Sequence, residues 1–278
     1  MKDNKKDMER LEVLLARNMA QITAKILVLS NKGGVGKSSV AVNIATCLSN
    51  REAKVGMLDA DIHGPSVAKM LGFEGQKLAA SGDGMFLPFK VKPNLTAVSM
   101  AMAIENSDAP VIWRGPLKMS VLRQFLAEVE WGRLDYLVID SPPGTGDEPL
   151  SVCQMIKNMT GAIIVTTPQD IALLDSRKCV SFLRQLSVPI IGLLENMSGL
   201  TCPHCGKNIA IFKSGGGERA ASELKVPFLG KIPFDPGIVE AADNGRPFVE
   251  AYPGSKQASL IEGICGLLDE KIRAVAKK

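Results

Sequence analysis

The chain has 278 residues, 46% apolar but only 5% aromatic, and its 33 basic and 29 acidic residues leave a net charge of +4. This supports a sizeable core, while balanced charge and scarce aromatics argue against a nucleic-acid partner. No apolar run nears the ~18 residues of a membrane span, so no stable membrane insertion is expected. The mixed-charge opening Met1–Asp7 lacks a signal peptide's apolar segment, which predicts a cytoplasmic protein with reduced cysteines.

Residues 8–20 place Leu11, Leu14, Leu15 and Met19 on one face, predicting an amphipathic helix within a leading unit, residues 1–22. The rest, residues 23–278, reads as one domain. Ile26–Leu29 is a strand-like run, and Val40–Ala45 a helical one. Between them lies Ser30-Asn31-Lys32-Gly33-Gly34-Val35-Gly36-Lys37-Ser38-Ser39. Strand, glycine-rich turn and helix form the context of a phosphate-binding loop. Gly33, Gly34 and Gly36 let backbone N–H groups close on phosphate oxygens, and the helix N-terminus adds partial positive charge. Lys37 is placed to reach the β- and γ-phosphates, and the Ser38 hydroxyl to ligate Mg2+. Asn31 stands where the usual pattern begins with glycine, and is expected to take a left-handed backbone in its place.

Lys54–Asp59 reads as a second strand, ending in Asp59-Ala60-Asp61 and followed by His63-Gly64-Pro65-Ser66. Ser66 is expected to cap a short helix there. Residues 73–96, rich in Gly, Pro and Lys, are expected to be irregular with short strands, and Pro116 to open a helix. Tyr136–Asp140 is an apolar strand ending in a carboxylate, the Walker B pattern. Asp140 is therefore expected to hold Mg2+, and Ser141–Asp147 to sense the γ-phosphate. With Ala162–Val165 and Ile190–Leu194, the alternation predicts an α/β fold, a doubly wound, mostly parallel sheet with helices on both faces.

Cys202-Pro203-His204-Cys205-Gly206 sits in an insertion spanning 199–212. Two thiolates at this spacing, with a glycine behind the second, form a metal knuckle. Tetrahedral sulfur coordination needs four ligands, and Cys47, Cys153, Cys179 and Cys265 lie singly in apolar helical patterns. Cys202 and Cys205 from each of two chains would complete the set around a [4Fe-4S] cluster or a zinc ion. Residues 259–278 carry Leu260, Ile261, Ile264, Leu267, Leu268, Ile272 and Val275 in one predicted apolar face. That face suits either a closing helix on the sheet or a membrane-surface helix of a positioning ATPase.

Asn31–Ser39, Asp59–Ser66, Asp140–Asp147, Glu195–Ser198 (E-N-M-S) and Cys202–Gly206 together resemble the Mrp/ApbC/Nbp35 family, over roughly residues 24–250. These belong to the deviant P-loop NTPases, with MinD, ParA and nitrogenase iron protein. The resemblance implies an ATP hydrolase that carries a [4Fe-4S] cluster to apo iron–sulfur proteins, as a homodimer with the cluster bridged between copies. It implies that Lys32 crosses the dimer interface to the partner's nucleotide. Asp61 would orient the attacking water near the γ-phosphate and Mg2+, with Asp59 behind it. It further implies that Asn196 hydrogen-bonds adenine and that Pro233, in Ile232–Asp235, belongs to a second base-contacting loop. The guanine-specific N-K-x-D run is absent, which favours ATP.

Overall fold

Strands buried along their whole length need cover on both faces, and that requirement sets the architecture. A computed structural model describes residues 2–103, 115–202 and 204–276. In chain order it contains α1 (Lys2–Ala20), β1 (Ile22–Leu29), α2 (Lys37–Asn50), β2 (Val55–Asp59) and α3 (Val67–Met70). Next come the short β3 (Ala79–Ala80), β4 (Phe86–Leu87) and β5 (Phe89–Lys92), then β6 (Leu95–Ser99) and a 3₁₀ turn, Met100–Ala103. The middle comprises α4 (Gly115–Glu128), β7 (Leu134–Asp140), α5 (Asp147–Met155), β8 (Gly161–Thr166) and α6 (Asp170–Gln185). The last part holds β9 (Ile190–Thr201), β10 (Asn208–Ile209), α7 (Gly216–Leu224), β11 (Phe228–Phe234), α8 (Pro236–Asp243), α9 (Phe248–Ala251) and α10 (Lys256–Ala276).

Nine strands form one sheet in the order β10-β9-β8-β1-β7-β2-β6-β5, with β11 also paired to β9. From β11 to β6 every pairing is parallel, and only β10 and β5 at the margins run antiparallel. In β1 the four consecutive residues Ile26, Leu27, Val28 and Leu29 are all sealed from water, so both faces are covered, as the sequence predicted. Register fixes the site. Val28 and Asp59 both lie opposite Asp140, which brings the ends of β1, β2 and β7 to one edge.

Three segments differ from expectation. Leu95–Ser99, partly inside the stretch read as irregular, is a parallel strand on β2; its apolar Leu95, Ala97 and Val98 are buried between polar neighbours that hid the pattern. Pro233 lies within a strand, β11, instead of a loop, and the β9 register breaks between Ile232 and Phe234 because proline offers no N–H. Ser66 precedes α3 without a side-chain cap; Asp59 Oδ2 accepts from Val67 N at 3.2 Å instead.

The leading helix α1 packs on α4, and the Asn18 amide donates to the carbonyls of Leu126, Ala127 and Val129 at 3.1, 2.9 and 2.9 Å. At the other end, α10 packs on α2 and β11 and buries Ile261, Ile264, Cys265, Leu268 and Ile272. Leu260 and Leu267 face outward, so they do not share that face as predicted, and Val275 lies outside the residues whose side chains are described. Gly266 leaves room for Arg51 of the chain just after α2: a Cβ there would sit 3.3 Å from its guanidinium, which donates to Glu262 O at 2.9 Å. Among the described residues no helix is long and apolar enough to cross a membrane.

Gly161 sits in β8, where a Cβ would lie 2.6 Å from Ile191 Cγ1 and 2.9 Å from the Pro189 carbonyl. Because one of these is backbone, the neighbours cannot simply rotate away. Gly161→Ala is expected to destabilise the fold by roughly 1–3 kcal/mol in urea denaturation.

Candidate functional site

The turn between β1 and α2 uses glycine where its backbone requires it: Gly34 and Gly36 both have φ of 79°. Gly36 is the N-cap of α2 and supplies no side-chain acceptor, so the first N–H groups of that helix remain available to an anion. Gly36 is also crowded, since a Cβ there would lie 2.3 Å from Asn196 Nδ2. Asn196 itself is buried and donates from Nδ2 to Val35 O at 2.9 Å, joining the end of β9 to the phosphate loop. Ile232 lies opposite Asn196 in the β9–β11 register, and Pro233 follows at the register break. Asp235, two residues further on, caps α8 by accepting from Gly237 N at 2.8 Å.

Asn31 does not adopt the expected left-handed backbone. It serves through its side chain: Nδ2 donates to Asp175 Oδ1 of α6 at 2.7 Å, and Oδ1 accepts from Thr145 Oγ1 at 3.4 Å. A polar side chain thus ties the loop's first residue to α6 and to the segment after β7, something glycine could not do. Gly144 N adds a bond to Ser30 O at 2.8 Å. Lys32, Gly33 and Gly34 are exposed, and Ser38 and Ser39 are half-buried at the start of α2.

Lys37 is buried, and its Nζ lies 2.5 Å from Asp140 Oδ1 and 3.4 Å from Ser38 Oγ. Asp140 is fully buried, and its second oxygen, Oδ2, has no hydrogen-bond partner. An unpartnered carboxylate oxygen is costly away from water, and a cation beside Ser38 would satisfy it. Burial pushes the Asp140 carboxyl upward, with Lys37 pulling the other way. On the next strand Asp59 accepts from Asp61 N at 3.1 Å and from Ser99 Oγ at 2.8 Å, besides Val67 N. Burial, then the charge of Asp140, pushes Asp59 up to about 8.

Asp61 is half-buried, and its Oδ1 accepts from His63 N and Gly64 N at 3.1 and 3.3 Å, which shapes the turn after β2. Its negative charge acts on Asp140, consistent with a place beside the same edge. The Lys118 ammonium of α4, buried, lies 2.5 Å from His63 Nε2 and 2.9 Å from Glu148 Oε1. One cation therefore joins the turn bearing Asp61 to the helix following Ser141–Gly146. Nothing in the local pattern around Lys118 announced this; it depends on α4 packing across α5.

The cysteine pair occupies the tip of a hairpin. β9 runs on past Asn196 to Thr201, folds back, and pairs with β10. Gly206 N donates to Cys202 O and Cys202 N to Lys207 O, both at 2.9 Å, and Gly206 has φ of 70°, as a tight turn behind the second cysteine requires. Cys205 is exposed and Cys202 half-buried. The backbone N–H groups of Cys205 and His204 lower the Cys202 thiol below its usual value, which favours the thiolate that binds metals. Of the other cysteines, Cys47, Cys179 and Cys265 are buried and Cys153 is half-buried. Among the described residues no three His, Cys, Asp or Glu side chains gather as a metal site.

A phosphate loop on a parallel sheet, with a buried lysine and a strand-ending aspartate at its mouth, defines a P-loop NTPase. The sequence model of the NUBPL iron-transfer P-loop NTPases, within the ParA group, matches residues 21–268, and the chain belongs to that family. An iron–sulfur cluster carrier protein of Methanocaldococcus jannaschii is 49% identical over 247 residues, covering 89% of this chain and 85% of its own. A cytosolic Fe-S cluster assembly factor NUBP2 homolog of Trichoplax adhaerens is 45% identical, covering 88% and 93%. Among solved structures, a nucleotide-binding protein of Archaeoglobus fulgidus in complex with ADP superposes with a TM-score of 0.74 at 33% identity, covering 88% of this chain and 98% of its own. The cell division ATPase MinD of Pyrococcus furiosus, at 23% identity and a TM-score of 0.66, covers 89% and 99% and shares the fold.

Two outcomes follow from this geometry. Gly36→Ala is expected to weaken nucleotide binding at least about tenfold by titration calorimetry, because it meets both strain and the Asn196 amide. Gly33→Ala, with open space around its Cβ, is expected to cost less. The raised Asp59 carboxyl also has a stability consequence. Between its ordinary value of 3.8 and about 8 the folded chain holds a proton that the unfolded chain releases, so stability falls as pH rises through that window. Asp59→Asn removes this loss. Its melting temperature relative to the unaltered protein should therefore become more favourable from pH 5 to pH 8.

Proposed function

We propose that this chain is an ATP-hydrolysing carrier of iron–sulfur clusters, which assembles or transfers a [4Fe-4S] cluster to apo proteins in the cytoplasm. The observation that carries the reading is the cysteine turn. Two accessible thiols, one primed toward thiolate, stand on a hairpin grown from the strand that also touches the phosphate loop. One chain supplies two thiols, so two copies supply the four that the cargo needs. The 45–49% identical relatives named as cluster carriers and assembly factors support the same assignment.

In this reading ATP lies with its phosphates against the N–H groups of residues 33–39 and its adenine near Asn196 and Pro233. Magnesium would be held by Ser38 and Asp140, with Asp61 at its side, and would neutralise phosphate charge. Lys37, released from Asp140, reaches the β- and γ-phosphates. Asp61 orients the attacking water. Lys32 of each copy contacts the nucleotide held by the other, so that ATP favours the dimer that brings the cysteine pairs together.

Anaerobic reconstitution with iron and sulfide tests this directly. The expected product is a brown dimer with about four irons per two chains by iron counting, absent from the Cys202→Ala/Cys205→Ala double variant. A colourless protein that retains zinc would overturn the carrier assignment and leave a zinc-stapled ATPase.

A further inference from the structure

Glu195 is fully buried one residue before Asn196, yet nothing in the phosphate chemistry uses it. Its two oxygens receive three donors. Oε1 accepts from Ser198 Oγ and from Gly215 N at 3.0 Å, and Oε2 accepts from Gly217 N at 2.6 Å. Ser198 leads out into the cysteine hairpin, and Gly215 and Gly217 lie where the chain returns and opens α7. One carboxyl group thus closes the base of the whole segment that displays Cys202 and Cys205. The closure is tight, since a Cβ on Gly217 would lie 2.9 Å from Glu195 Cβ.

The neighbouring side chain points to the other machinery, Asn196 Nδ2 being bonded to Val35 O of the phosphate loop. The hairpin and that loop also face a common space: Met197 and Phe212 line a cavity of about 100 Å³ together with Lys32, Gly33, Gly34 and Val35. Residues 195 and 196 are consecutive on β9, so one stretch of backbone carries both the contact to Val35 and the closure of the hairpin base.

We propose that Glu195 is a positioning residue that conveys the state of the phosphate loop to the cysteine turn. The proposal rests on the reading that the loop binds nucleotide and the turn holds the cargo. It requires that the hairpin base differ between the empty and filled loop, since a ligand moves an equilibrium only by its differential interaction.

Amide hydrogen exchange of residues 198–217 on the cluster-free protein, with and without saturating Mg-ADP, provides the test. ADP should slow exchange of the Gly215–Gly217 amides at least threefold in the unaltered protein. Glu195→Gln, which replaces one acceptor oxygen with a donor, should lose that response while binding ADP within about threefold of normal. Ser198→Ala, which removes a single donor, should show a reduced response and serves if Glu195→Gln does not fold. An equal ADP response in unaltered and variant proteins, or none in the unaltered protein despite bound ADP, would overturn the proposal. No cluster enters this measurement, so failed reconstitution and failed coupling are separately visible.

Discussion

The phosphate loop is organised around an ammonium group shut away from water. Lys37 is buried at the start of α2, and the carboxyl that meets it, Asp140, is more deeply buried still. Breaking such a pair by removing one partner leaves an uncompensated charge, a loss of roughly 3–5 kcal/mol. The loop is therefore held in a defined arrangement by this pair. Lys37 and Asp140 already satisfy one another as an ion pair.

The surroundings follow from that pairing. Asp140 has one oxygen committed to Lys37 and one without a partner, which marks where a cation gains most. Asp59, in register beside it, is held by Ser99 and two backbone donors, so a second carboxyl can be buried a strand away. Asp61 is thereby left at the surface of the cluster, where it can meet water. Two carboxyls one residue apart acquire different characters because one lies under the sheet edge and the other beyond it.

What was legible in the sequence was what local pattern encodes. Phosphate contact demands glycines at fixed spacing after a strand, a metal turn demands C-x-x-C followed by glycine, and fully buried strands demand unbroken apolar runs. Leu95–Ser99 escaped because Thr96 and Ser99 interrupt its run, although Ser99 is there to hold Asp59. Asn31 was located but given the wrong physics, because its partner Asp175 lies 144 residues away on another helix. Lys118 acts through contacts that exist only once distant elements pack, and the bonds from Gly215 and Gly217 to Glu195 likewise form only once the hairpin has closed. Ser66 lost its capping role to Asp59 for the same reason: β2 ends with a carboxyl already aimed at the helix start.

Gly266, within the C-terminal helix α10, is a seat. Gly266 admits the Arg51 guanidinium, and around it Ile261, Ile264, Cys265, Leu268 and Ile272 are sealed against α2 and β11. Stripping four such aliphatic side chains back into water would cost on the order of 6–12 kcal/mol, comparable to the whole stability of a domain. A helix so anchored is part of the wall behind the phosphate loop. Detaching it would uncover the apolar surface of α2 and β11 on which it rests, so its buried face belongs to the core that backs the loop.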